Sequence, residues 1–168
     1  MEISEREQNV YNILEKLGIE YKLYRHEPIY TIAAAEELDK KLEFPIAKNL
    51  FLSTKHGTEF YMLTMAGDKK FNTGKISKQI GVPGMTFAGE EKMLEFLNLY
   101  PGSVTPLGLL NDKENNVNFL IDSDLLNNEK ISVHPCINTA TVVIKTKDLL
   151  EKILPYCNHN FREVLVER

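Results

Sequence analysis

Asn49-Leu50-Phe51-Leu52-Ser53-Thr54-Lys55-His56-Gly57-Thr58-Glu59-Phe60-Tyr61-Met62-Leu63-Thr64-Met65 is the stretch whose reading decides the fold. Two runs of apolar and aromatic residues flank Lys55-His56-Gly57-Thr58, a short polar connector containing glycine, which predicts two adjacent antiparallel strands joined as a hairpin. A hairpin rules out a purely parallel sheet.

Working outward, helical and strand periodicities alternate irregularly. Ser4 with Glu7 has the spacing of a capping box, and Val10, Ile13, Leu14 and Leu17 form one helical stripe that Gly18 closes. Tyr21 to Arg25 reads as a short strand, and Thr31 is placed to cap a second helix, rich in Ala and Glu, from Ile32 to about Asp39. Beyond the hairpin, a short helix is expected over Gly74 to Ile80, a strand over Met85 to Ala88, and a helix over Glu90 to Leu97 with Met93, Leu94 and Leu97 facing inward. Val117, Phe119 and Ile121 alternate, as do Ala140, Val142 and Ile144, predicting two more strands before a last helix that Thr146 caps and Pro155 ends. The expected fold is α+β, with a mixed, curled or barrel-like sheet and helices packed outside it.

The chain has 168 residues, which suits one domain over 1–168; with 43% hydrophobic and 26% charged residues it should fold unaided. The longest strictly apolar runs, Ile32 to Ala35 and Phe60 to Leu63, hold four residues each, against the ~20 that span a bilayer. An acidic start without an apolar stretch is not a secretory signal, so a cytoplasmic protein is expected. The net charge of −4 argues against wrapping long nucleic acid, and no DNA partner is expected. Between Lys40 and Lys78, however, eight lysines face three acids, so one face could be basic or the run simply solvated.

Two cysteines in such a chain read as free thiols. His134-Pro135-Cys136 and Cys157-Asn158-His159 could supply four zinc ligands, but one-residue spacers and Pro135 make a poor metal frame. Serine-elbow, dinucleotide and zinc-helix motifs are missing. Gly74-Lys75 fails as a phosphate loop, because Lys69 stands where the first glycine belongs and Ile76 where Ser or Thr would hold magnesium. Three features remain: the Pro- and Gly-rich loop Tyr100 to Gly108, able to aim backbone N–H groups at a ligand or to serve as a rigid connector; Lys48 at the mouth of a buried strand; and His134 before Pro135 at a strand end.

His26-Glu27-Pro28-Ile29-Tyr30-Thr31, Ala47-Lys48-Asn49-Leu50-Phe51-Leu52, Pro101 to Asp112, and His134-Pro135-Cys136-Ile137-Asn138-Thr139-Ala140-Thr141 occur in the order found in the aminoacyl-tRNA editing domain family. That family includes the YbaK deacylase and the insertion domain of bacterial prolyl-tRNA synthetase, and the chain resembles its free-standing prolyl-tRNA editing branch most. The resemblance implies a curled, largely antiparallel, barrel-like sheet flanked by helices, and hydrolysis of the ester joining a wrong amino acid, alanine in this branch, to the 3′ end of proline tRNA. It implies no cofactor or metal. The partner is the acceptor end of mischarged tRNA(Pro), with prolyl-tRNA synthetase or an elongation factor as transient associates.

On the same resemblance Lys48 and His134 are the catalytic candidates, Lys48 orienting the terminal phosphate or the developing charge and His134 positioning substrate or water. Gly102, Ser103, Val104, Thr105 and Pro106 form the loop that grips the terminal adenosine and the aminoacyl carbonyl. Ile32 and Ala35 resemble positions that shape the amino acid pocket, and Asn49 and Asn138 complete the substrate-binding set. Removal of cysteine or another small amino acid, or a non-catalytic module that binds tRNA or an amino acid, are the alternatives.

Overall fold

The computed structural model describes residues 3–29, 32–42, 44 and 46–167; Thr31, the expected cap of the second helix, lies outside them. Helix α1 (Glu5–Lys16) starts where Ser4 Oγ accepts the Glu7 amide at 3.2 Å, and buries Val10 and Leu14 with Ile13 and Leu17 packed beside them. Beyond it Gly18 adopts a φ of +69°, left-handed backbone that glycine takes without a Cβ penalty. The Glu7 carboxylate turns inward, accepting the Tyr11 hydroxyl at 2.6 Å and pairing with Arg25 at 2.6 Å.

The hairpin is present. Strands β2 (Lys48–Thr54) and β3 (Phe60–Met65) pair antiparallel from Lys48↔Met65 to Ser53↔Phe60. Strand β4 (Met85–Phe87) joins β2 antiparallel, while β5 (Val117–Asp122) and then β8 (Phe161–Val164) add in parallel on the β3 side. A second, antiparallel sheet has the order β1 (Lys22–Arg25), β7 (Ala140–Lys145), β6 (Lys130–Val133). A parallel bridge between Ile46 and Ser132 stitches the two sheets at one seam.

Layering explains the burial pattern. The main core lies between the sheets, where Phe51, Met62, Phe119 and Ile121 meet Ile131, Val133, Val142 and Ile144, along with α1 and α4 (Glu90–Leu97). The opposite face of the five-stranded sheet, with Leu52, Leu63 and Leu120, is covered by Ile76 and Ile80 of α3 (Thr73–Ile80). Every residue of β3 is therefore buried, and Leu120 is as buried as the alternating Phe119 and Ile121. Helix α2 (Ile32–Lys41) packs Leu38, with the following Leu42, on Val143 of the smaller sheet.

Several local expectations change. Leu94 is 43% exposed, because α4 turns Met93, Phe96 and Leu97 toward the core instead. Thr146 does not cap the last helix but begins it, and its buried hydroxyl finds no partner. That helix runs as α5 (Thr146–Asp148), a π-helical stretch (Leu149–Ile153) and α6 (Leu154–Tyr156), so Pro155 sits inside it. The wide turn just before absorbs the missing N–H and the bulk of the ring. The Tyr100 to Gly108 loop becomes a tight 3-10 turn at Pro106–Asn111. Among the described residues no helix is long and apolar enough to cross a membrane.

Candidate active site

A cleft of about 930 Å³ opens at the seam between the sheets. Ala35, Glu36 and Asp39 of α2 form one wall; Ala47 and Lys48 enter from the start of β2. Ala66, Gly67 and Asp68, in the turn after β3, form the floor with Asp124 and Leu125. Gly102 from the Gly-Pro loop and His134 and Asn138 from the β6–β7 connection line it too, with Ile29, Ile46, Asn127 and Asn128. Five predicted site residues, Lys48, His134, Ala35, Gly102 and Asn138, thus come together from four separate parts of the chain.

Lys48 is aimed by a clamp that the sequence did not reveal. Its ammonium donates to the Lys69 carbonyl at 2.6 Å, and that carbonyl belongs to a turn closed by the Lys69 amide donating to Ala66 O at 3.2 Å. Asp122, at the end of β5, holds the turn at both ends. One carboxylate oxygen accepts the Ala66 amide at 3.0 Å and the other accepts the Lys69 ammonium at 2.9 Å, while Asp124 pairs with Lys69 at 2.7 Å. Only 1% of the Lys69 side chain is exposed. Burial alone would lower its pKa, but the two carboxylates outweigh that and raise it, keeping it charged. Gly67 is required beside this clamp, since a Cβ there would stand 2.8 Å from Ile46 O.

His134 is held as a neutral base. Its Nδ1 lies 2.8 Å from the Ala140 carbonyl, which can only accept, so Nδ1 carries the proton and Nε2 keeps its lone pair. Burial pushes its pKa below the ordinary value, against the Ala140 hydrogen bond and with the help of His26, whose ring centroid is 6.0 Å away. His26, unassigned by the sequence reading, donates from Nδ1 to Glu27 O at 2.9 Å, and its Nε2 lies 2.8 Å from the Thr141 hydroxyl. Cys136 is buried with its thiol pushed up to about 12, so it is no nucleophile at neutral pH.

The Gly-Pro loop meets the cleft only at its tip. Gly102 has a φ of +91°, strained for any residue with a Cβ, and its α-carbon faces Asn138. Ser103 is buried, its amide and hydroxyl both donating to Tyr100 O. Val104 packs against the main core, Thr105 Oγ1 accepts the Leu107 amide at 3.3 Å, and Pro106 is buried as the first residue of the 3-10 turn. Asn49 is likewise turned from the cleft, accepting the Thr64 hydroxyl at 2.6 Å. Nothing is described of the Ile32 side chain. Gly108 is a packing glycine, because a Cβ there would meet Leu99 at 2.6 Å.

Three lysines of the lysine-rich stretch are drawn away from any common basic face. Lys69 is internal, Lys75 pairs with Glu167 at 2.5 Å, and Lys48 faces a cleft that also carries Glu36, Asp39, Asp68 and Asp124. In the second His/Cys pair, His159 uses both ring nitrogens, on Asp112 at 3.0 Å and on the Cys157 carbonyl at 2.7 Å.

The pattern of the aminoacyl-tRNA editing domain matches residues 26–152, from His26 through Lys48, Gly102 and His134. The chain belongs to the aminoacyl-tRNA editing domain family. This editing domain is 35% identical over 157 residues to the prolyl-tRNA editing protein ProX of Acetoanaerobium sticklandii, covering 94% of the chain and 95% of that protein. It is 33% identical over 141 residues to prolyl-tRNA synthetase associated domain-containing protein 1 of Mus musculus, covering 82% and 83% of the two chains. The editing domain superimposes with a TM-score of 0.73 on a crystal structure of a candidate trans-editing enzyme for prolyl tRNA synthetase, at 20% identity over 99% of this chain and 100% of that one. The latter likeness establishes the fold. As an aminoacyl-tRNA editing domain the protein is a hydrolase of the aminoacyl-tRNA deacylase class.

Proposed function

We propose that residues 1–168 act as one editing domain that hydrolyses the ester of alanyl-tRNA(Pro) after the synthetase has released it. The observation that carries this reading is the convergence of Lys48, Gly102, His134, Asn138 and Ala35 on one cleft. Its volume of about 930 Å³ suits a nucleoside bearing an aminoacyl group. The partner is the acceptor end of tRNA(Pro), with prolyl-tRNA synthetase or an elongation factor as transient associates; the names of the two relatives support the proline system.

A proline synthetase pocket cannot reject the smaller alanine on size, because missing methylenes are worth only ~1–3 kcal/mol, and a second site that admits alanine and excludes proline supplies the discrimination. The small Ala35 side chain on the α2 wall leaves room for a methyl group. The Lys48 ammonium, with Lys69 O at its back, stabilises the negative charge that develops on the carbonyl oxygen or holds the terminal phosphate. His134 Nε2 accepts a hydrogen bond from the attacking water or from the 2′-hydroxyl of the terminal ribose that assists it. No protein nucleophile is needed.

The test is to incubate purified protein with alanyl-, cysteinyl- and prolyl-tRNA(Pro) and measure ester loss. Preferential loss of alanine is expected. Preferential loss of cysteine would reassign the substrate, and loss of none would overturn the deacylase reading in favour of a binding module.

A further inference from the structure

We propose that the Tyr100 ring, backed by Arg6, is a stacking platform for an unpaired nucleobase of the tRNA 3′ end at the mouth of the cleft. This deepens the deacylase reading and rests on it for the identity of the nucleic acid.

Tyr100 is 53% exposed and belongs to none of the hydrophobic clusters, so core packing does not account for it. The Arg6 guanidinium lies 4.4 Å from the ring centroid, over one face. That guanidinium is itself fixed, with Nε donating to Asn98 O at 2.9 Å and an Nη to Asn98 Oδ1 at 3.2 Å. Asn98 ends α4 in the left-handed region at φ +53°, which turns its carbonyl and side chain toward Arg6.

The Tyr100 backbone is also tied to the cleft. Ser103 donates to Tyr100 O from its amide at 3.1 Å and from its hydroxyl at 2.8 Å, which closes a turn whose tip is Gly102, a lining residue of the cleft. An exposed aromatic ring two residues before the cleft-lining Gly102, with a cation over one face, has the chemistry that binds single-stranded nucleic acid. The aromatic face stacks any base, and the guanidinium adds attraction for the phosphates next to it. Holding the ring in place beforehand removes the ordering cost at binding.

The experiment uses an uncharged acceptor-stem minihelix of tRNA(Pro) ending in unpaired CCA, titrated into the intact protein by calorimetry. Replacing Tyr100 by alanine should weaken binding about tenfold, the scale of one lost base–aromatic stack, while Tyr100→Phe and Tyr100→Trp bind within about twofold of wild type. In the wild type the Tyr100 ring proton resonances should move upfield on saturation, as a base settles over them. Equal affinities of wild type and Tyr100→Ala, or no binding of the minihelix by the wild type at millimolar concentration, would overturn the platform. Because this readout needs no hydrolysis, it separates from the deacylase reading: Tyr100-dependent binding with no ester loss from any charged tRNA would sink the enzyme assignment and leave the platform standing.

Discussion

His134 shows how a single residue type becomes useful only through its surroundings. Burial and the neighbouring His26 together overcome the favourable Ala140 hydrogen bond and depress its pKa below 6.5. Neutral imidazole is then the main form at pH 6.5 and above, and the acid limb of hydrolysis should have its midpoint below 6.5. A kcat/KM profile with an acid limb at or above the ordinary histidine value would contradict this. Ala35 carries the specificity prediction: Ala35→Val should slow alanyl-tRNA hydrolysis, and Ala35→Gly should raise the rate on cysteinyl relative to alanyl substrate, both read from single-turnover ester loss. At this scale the sequence exposed residue types but not their partners. Lys48 and His134 stand beside strands and prolines that mark them, whereas Lys69 sits in a run of lysines and reads as surface. What buries it is Asp122, 53 positions away.

At the scale of elements, the clamp joining β3, β5 and the turn between Ala66 and Lys69 makes its own prediction. Lys69→Met leaves the Asp122 carboxylate buried without its cation, and losing one partner of such a pair costs ~3–5 kcal/mol. Urea unfolding should show a loss of that size, and a change below about 1 kcal/mol would show that the clamp does not hold the turn. The hairpin, α1 and α4 were legible because their periodicity and punctuation agree with the final packing. Strands β6 and β8 lack alternation, three successive residues of β6 being buried and only Val164 of β8, so β6 was marked only through His134 at its end and β8 not at all. The terminal helix was misread at both ends, since its π-helical stretch tolerates a proline that would stop an ordinary α-helix. The Gly-Pro loop was recognised as rigid, but its rigidity is spent on a 3-10 turn and a tight fit to Leu99, leaving Gly102 as the point of contact with the cleft.

At the scale of the whole molecule, two sheets meet at one bridge and the cleft lies along that seam, an arrangement that long-range pairing sets and local pattern does not reveal. Far from the cleft, the buried His159–Asp112 pair ties the end of the last helix to the start of β5. Burial opposes the charge on His159, but Asp112 and Cys157 outweigh it and raise its pKa from 6.5 to about 9. A raised folded-state pKa stabilises fully below 6.5 and the benefit is lost as pH climbs through about 9. The depressed Asp112 pKa acts at the other end, its stabilisation being present above 3.8 and lost in stronger acid. Thermal melting should therefore fall as pH is raised from 6.5 to about 9, and His159→Gln should flatten that decline; a wild-type melting temperature that does not fall would contradict the pair's charge. The central claim is that the cation at the mouth of β2 acts on the ester within the seam, and single-turnover hydrolysis of alanyl-tRNA(Pro) by Lys48→Ala tests it most directly. The account predicts a rate about 10²-fold or more below wild type with an unchanged circular dichroism spectrum, and an unchanged rate would contradict it.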